Sequence, residues 1–168
     1  MPERIYLSLG SNLGEREQHL QAAIDRLASI GVTVLRVSSL YETEPVGLRE
    51  QPWFLNCVVE GESDAAPALL LQRLLDLERQ LGRQREGVPA MGPRTIDLDM
   101  ILYGNARMQT EALTLPHPRY HQRRFVLTGM AELAHALPDP VTGETMADLL
   151  ANVEDASQVV RLGESKLR

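Results

Sequence analysis

The stretch Arg94-Thr95-Ile96-Asp97-Leu98-Asp99-Met100-Ile101-Leu102-Tyr103 limits this chain more than any other. Ile96, Leu98, Met100 and Leu102 alternate with other residues, and two of those between them are Asp97 and Asp99. That period of two marks a half-buried strand. Both carboxylates then leave the same face, roughly 7 Å apart along the strand. Acids so close repel each other unless a cation lies between them. Arg94 is one candidate and one or two divalent metal ions are another; a solvated polar face on an edge strand is the third reading.

The remaining elements decide which sheet this strand can join. Residues 4–9 read as a strand with Ile5, Leu7 and Leu9 on one face. Gly10-Ser11-Asn12-Leu13-Gly14 turns the chain, with Asn or Ser expected to cap the next helix. A glycine turn can also hold phosphate, but neither the dinucleotide fingerprint nor the GxxxxGK pattern is present. Residues 15–30 form an amphipathic helix on Leu20, Ala23, Ile24 and Leu27, stopped by Gly31.

Residues 32–41 are a β-branched run and the second strand. Residues 42–52, with Pro45, Gly47 and Pro52, make an irregular connection of functional length. In the third strand, residues 53–60, Trp53, Leu55, Cys57 and Val59 share one face and Phe54, Asn56 and Val58 the other. Phe54 and Asn56 either stack on and hydrogen-bond a flat heterocycle or are a packed ring and a structural amide.

Leu70, Leu74, Leu77 and Leu81 place a helix over residues 65–81, and Gly82 ends it. Glu78 falls near the helix C-terminus, where the dipole disfavours an acid; it answers arginines, a ligand hydroxyl or solvent. Residues 83–94 carry Arg83, Arg85 and Arg94 into the acidic strand. Beyond it, residues 117–125 hold three arginines and two histidines with no acid, a segregation that suggests an anion site. Residues 123–137 read as a helix, residues 145–152 as a short capped one, and the tail from about residue 154 as peripheral. The order β-α-β-β-α-β is the ferredoxin-like split βαβ pattern. The expected fold is α+β: one domain, residues 1–168, with an antiparallel sheet, helices on one face and extra C-terminal helices. The open face would carry Asp97, Asp99, Phe54 and Asn56, bordered by the two basic loops.

Charge and composition remove several functions. The net charge of −6 argues against nucleic acid as a partner. Of the 17 basic residues only Lys166 is a lysine, which excludes a phosphate-loop lysine and favours planar, bidentate capture by arginine. No apolar run is long enough for a bilayer, no leader pattern opens the sequence, and Cys57 has no partner for a disulfide. A cytoplasmic monomer without a membrane partner is expected. Two acids flanked by arginines from separate loops call for a metal-bound polyphosphate, with Mg²⁺ on the acids. Residue types and spacing reach phosphoryl or nucleotidyl transfer.

Gly92-Pro93-Arg94-Thr95-Ile96-Asp97-Leu98-Asp99 closely resembles the signature of the 6-hydroxymethyl-7,8-dihydropterin pyrophosphokinase family of folate biosynthesis. Gly10-Ser11-Asn12-Leu13, Thr43, Pro45, Gly47, Gln51-Pro52, Asn56, Glu78, Gly82-Arg83, Arg85, Pro116-His117 and Arg123 extend the resemblance. It implies transfer of pyrophosphate from ATP to the pterin hydroxymethyl oxygen, releasing AMP. It further implies two Mg²⁺ ions on Asp97 and Asp99, with Arg83 and Arg94 catalytic. Glu78, Arg83, Arg85, Arg94, Met100, Leu113, Thr114, His117 and Arg123 would serve ATP. Thr43, Pro45, Val46, Gly47, Phe54, Asn56 and Phe125 would serve the pterin, and residues 47–52 and 85–92 would be moving loops. Met91, Glu86, Ala112 and Pro118 depart from the family pattern, all on the side of ATP grip or loop closure. Two rivals remain. A nucleotidyltransferase would keep its Gly-Ser and Asp-x-Asp motifs close in sequence, and here they lie far apart. A ferredoxin-like RNA module would be less acidic.

Overall fold

A computed structural model of the chain describes residues 1–45, 50–83 and 94–163. Its frame is an antiparallel sheet built on β1 (Glu3–Ser11), β4 (Phe54–Ser63) and β5 (Asp97–Tyr103), with β1 in the middle. β2 (Val32–Val37) and β3 (Tyr41–Thr43) line up end to end along the outer side of β4. The sequence predicts one strand over residues 32–41, and the structure divides it. Ser38 is the reason: its N–H donates to the Val58 carbonyl and its Oγ accepts from the Val58 N–H, so backbone pairing gives way to side-chain bonding.

The helices follow their stripes. α1 (Arg16–Leu27) buries Leu20, Ala23, Ile24 and Leu27, and a tighter turn, Ala28–Ile30, runs into Gly31 at φ 89°. α2 (Pro67–Gln80) opens on a proline and buries Leu70, Leu74 and Leu77. Both pack on the face made by Ile5, Leu7, Leu9, Leu55, Cys57, Val59, Leu98 and Met100, the main core. Burial pushes the Cys57 thiol up to about 12, consistent with a small core residue. The helix cap is a correction. α1 starts at Glu15 with no side-chain cap, because Asn12 turns inward and is spent elsewhere.

The opposite face is partly covered. α3 (Arg124–Ala134) and α4 (Met146–Asn152) pack Val126, Leu127, Met130, Leu133 and Met146 against Tyr6, Val58, Ile101 and Leu102. Gly129 permits the approach, since a Cβ there would lie 2.5 Å from Val58. Thr145 caps α4 as expected, accepting from the Asp148 N–H. The alternation read over 96–102 stops at Met100: a register shift opposite Tyr6 and Leu7 turns Leu102 into this second cluster. The tail from about 154 does sit at the periphery, but β8 (Val159–Arg161) is paired there with β3 as the sheet's last strand. A small hairpin, β6 (Met108–Gln109) and β7 (Thr114–Leu115), precedes the basic segment. What stays open is the end of the second face beyond α3.

Candidate active site

Strand register assembles this open end. In antiparallel pairing, residues directly opposite share a face. Gly10 of β1 lies opposite Asn56 on one side and Asp97 on the other; Ser8 lies opposite Val58 and Asp99. Asn56, Gly10 and Asp97 therefore form one row across three strands. Gly10 is required in that row, because a Cβ would lie 2.4 Å from Asn56 Oδ1 and 3.5 Å from the Phe54 ring. The Asn56 amide donates to Thr43 Oγ1. Around the row, Ser8, Thr43, Glu44, Phe54, Arg94, Asp99, Arg123 and Phe125 complete a pocket. Ser8 and Gly10 are not among the residues the sequence assigns to it, whereas Glu44 falls within the assigned loop 43–47. The alternation of β1 places Ser8 and Gly10 on the polar face, but only pairing with β5 brings them beside the acids.

A second cavity, of about 290 Å³, lies beyond Asp99 and is lined by Leu71, Leu75, Leu98, Met100, Leu113, Thr114, His117 and Pro118, together with Glu111 and Ala112. Asp99 lines both cavities. A larger one, about 470 Å³, lies between the β6–β7 hairpin and the Asp139–Glu144 turn. It contains neither Asp97 nor Asp99, so its size is no argument for chemistry.

The charges are arranged asymmetrically. Arg83, its side chain only 9% exposed, donates from one nitrogen to Glu78 Oε2 (2.8 Å) and to Asp97 Oδ1 (2.9 Å). Glu78 is buried and also accepts from the Leu98 N–H at 2.7 Å. Of the readings left open for Glu78, the structure selects the arginine partner. Arg94 lies 3.3 Å from Asp97 Oδ2 and stacks on Phe54, 5.2 Å from the ring centre. Among the described residues, Asp99 is paired with Arg123, at 3.9 Å. Burial first, and then the Asp97 charge, push the Asp99 carboxyl up to about 7 against the pull of Arg123. Three arginines face three carboxylates here, but two of them close on Asp97, so compensation is weaker at Asp99. Hard carboxylate oxygens facing two cavities, one of them held off its ordinary ionisation by burial and by its neighbour, suit Mg²⁺. Asp97 and Asp99 are the residues that would hold it.

His117 is carried by the β7 segment, its N–H on the Ile101 carbonyl. Burial, followed by the Arg123 charge, lowers its imidazole to about 4. Its Nδ1 accepts from the Arg119 N–H, so the neutral ring keeps its proton on Nε2. Asn12 accepts from the Arg94 N–H and donates to Gln51 Oε1 and the Pro52 carbonyl, tying both loop ends to β1. Pro45 is buried but does not line the pocket. Val46, Gly47, Arg85, Glu86 and Met91, and with them half of the predicted moving loop 47–52 and all of 85–92, lie outside the described residues.

The family model described as 7,8-dihydro-6-hydroxymethylpterin-pyrophosphokinase matches residues 6–135. The chain belongs to this family. It is therefore an enzyme, a pyrophosphokinase. The 2-amino-4-hydroxy-6-hydroxymethyldihydropteridine pyrophosphokinase of Bacillus subtilis is 44% identical over 138 residues, which cover 82% of this chain and 81% of that protein. The protein of the same name from Methylorubrum extorquens is 41% identical over 153 residues, 90% of this chain and 94% of its own. The folic acid synthesis protein fol1 of Pneumocystis carinii is 39% identical over 153 residues, and the chain spans only 20% of its length. A crystal structure of Plasmodium falciparum HPPK-DHPS with pterin and p-hydroxybenzoate superposes with a TM-score of 0.67 at 13% identity, over 90% of this chain and 43% of the other. At that identity the likeness shows the fold alone, the ferredoxin-like arrangement expected.

Proposed function

We propose that the enzyme transfers pyrophosphate from ATP to the hydroxymethyl oxygen of 6-hydroxymethyl-7,8-dihydropterin, releasing AMP, in folate synthesis. One observation carries the reading: Asp99 lines both cavities and Asp97 stands beside it. An acceptor on the β4 side and a nucleotide on the β7 side would meet at this carboxylate pair. The acceptor oxygen attacks the β-phosphorus, the bond from that phosphorus to the α-phosphate oxygen breaks, and the hydroxyl proton is lost to solvent.

Phe54 and Phe125 would hold the flat pterin, with Asn56 and Thr43 reading its edge. Met100, Leu113 and Thr114 would border the adenine. Two Mg²⁺ ions on Asp97 and Asp99 would supply charge neutralisation and a template for the phosphates. Arg83 holds Asp97 in one orientation, fixed itself by buried Glu78. Arg94 and Arg123 flank the carboxylates from two sides, placed to face phosphate oxygens. His117 offers a neutral Nε2–H donor. Ala112 and Pro118, both on the nucleotide cavity, would alter ATP grip without touching the acceptor. Nucleotide titration beside a relative that carries the family residues in place of Ala112 and Pro118 tests this; equal affinities and rates sink it.

Incubation with ATP, Mg²⁺ and the hydroxymethyldihydropterin, followed by product identification, tests the whole. AMP and a pyrophosphorylated pterin are expected. Free pyrophosphate with an adenylated pterin, or no Mg²⁺-dependent turnover, would overturn it.

A further inference from the structure

The family match ends at residue 135, yet the chain beyond it returns to the acceptor side of the pocket and grips both of its walls. One wall is Thr43 and Glu44. They end a strand of only three residues, and β8 pairs along its free edge, Thr43 opposite Val159 and Tyr41 opposite Arg161. Just past the strand, the Glu44 N–H donates to the Gln158 carbonyl at 3.1 Å, and the Gln158 N–H returns a bond to Glu44 Oε1. The other wall is Arg123 and Phe125, at the start of α3.

That helix start has no side-chain cap from Arg123, its own N-cap residue. Asp155 supplies one from the tail. Its Oδ2 accepts from the Arg124 N–H at 3.1 Å, its Oδ1 accepts from the Ser157 N–H at 2.9 Å, and its carbonyl accepts from Arg124 Nε at 2.8 Å. A carboxylate at a helix N-terminus is favoured both by the unpaired N–H groups and by the dipole. Here the capped residue lies between Arg123 and Phe125.

Two residues separate Asp155 from Gln158, and a step of three residues spans at most about 10 Å. The two walls are thus tethered to each other across a fixed length. Below the tether, Arg161 Nε donates to Ser39 Oγ, which in turn donates to Glu132 of α3, so strand and helix are joined a second time.

We propose that residues 155–162 are a strap that sets the width of the acceptor pocket, with Asp155 as its positioning residue. The inference rests on the pterin reading of that pocket. Asp155 touches no substrate; it acts by holding Arg124, and through it Arg123 and Phe125, against Thr43 and Glu44. The nucleotide cavity has no wall on the strap; Arg123 is the one residue placed on ATP that the strap also holds, so ATP affinity should change less than pterin affinity.

The experiment measures 6-hydroxymethylpterin binding by its fluorescence and ATP binding by titration calorimetry, on the full chain and its variants. Removing an N-cap shifts the equilibrium between the capped and the frayed helix start by about tenfold, and pterin binding would then have to restore the capped geometry. Asp155→Ala should therefore weaken pterin binding about tenfold and ATP binding less than twofold. Asp155→Asn keeps an acceptor but not the charge, and should recover most of the affinity. Val160→Thr, on the exposed side of β8, should change neither. Unchanged pterin affinity in Asp155→Ala, or equal weakening of pterin and ATP, overturns the strap. If Asp155→Ala does not fold, Asp155→Asn decides: it should weaken pterin binding about twofold, and wild-type affinity refutes the proposal. Wild-type protein that binds ATP but no pterin defeats the pterin reading itself, and the strap with it.

Discussion

Replacing Asp99 with asparagine should stabilise the ligand-free protein while abolishing turnover. In the folded chain the Asp99 carboxyl is pushed up from 3.8 to about 7, chiefly by burial and by Asp97. Unfolded, it returns to an ordinary carboxylate. Above pH 7 the folded state thus carries an anion it disfavours, and the cost grows as pH rises through the interval between the two values. A full shift of this size would correspond to about 4 kcal/mol. The Asp99 side chain keeps 33% of its surface in solvent, however, and screening there reduces the net effect to about 1–2 kcal/mol.

For a domain of this size the corresponding rise in Tm at pH 8 is about 3–6 °C. At pH 5 folded wild type already holds the proton, so the advantage of asparagine should shrink, and near pH 4 vanish. Thermal melts of Asp99→Asn and wild type at pH 8, 5 and 4 measure this directly. Added Mg²⁺ should raise the wild-type Tm at pH 8 and leave the variant unmoved. A variant less stable than wild type at pH 8, or one whose advantage ignores pH, would show that burial and Asp97 do not set the carboxyl's ionisation as described.

Gly10→Ala places a Cβ 2.4 Å from Asn56 Oδ1, and such overpacking costs about 1–3 kcal/mol; steady-state kinetics should show pterin KM raised about tenfold with ATP KM nearly unchanged. Glu78→Gln leaves the Arg83 charge with Asp97 alone in a nearly closed site, and urea unfolding should show a loss of about 1–3 kcal/mol, with turnover falling because Asp97 is no longer held. His117 carries the opposite linkage to Asp99: its imidazole is lowered to about 4, so the unfolded chain takes up a proton that the folded one refuses. Stability should accordingly fall as pH drops from about 6.5 to 4, and His117→Gln should flatten that slope in denaturation curves taken across the window.

The ferredoxin-like order was legible because its signals are local. The leucine stripe of α2, the β-branched run of β2 and the alternation around Asp97 each announce an element without reference to any other. The faces of β4 were legible for the same reason. Three features were not. Ser38 ends β2 early by bonding to Val58, a residue twenty positions on. The bulge that turns Leu102 across the sheet exists only as a mismatch between β1 and β5. Asn12 reads as a helix cap from its neighbours, but its amide is claimed by Gln51, Pro52 and Arg94. In each case a competing partner lies far away in sequence, and local pattern cannot weigh it.

The same distinction explains why the acids could be found and their meeting place could not. Asp97 and Asp99 lie two residues apart, so a single strand puts them on one face. That Asp99 divides two cavities depends on β1 lying between β4 and β5, and on His117 being drawn to β5 through the Ile101 carbonyl. Among the described residues, Arg83 and Arg94 both contact Asp97, while Asp99 is paired with Arg123 at the longer distance of 3.9 Å. The less closely compensated of the two carboxylates is therefore the one that faces both cavities. A cation bound there would relieve the most repulsion at the point where acceptor and nucleotide come together, which ties the cost in stability to the place where chemistry needs positive charge.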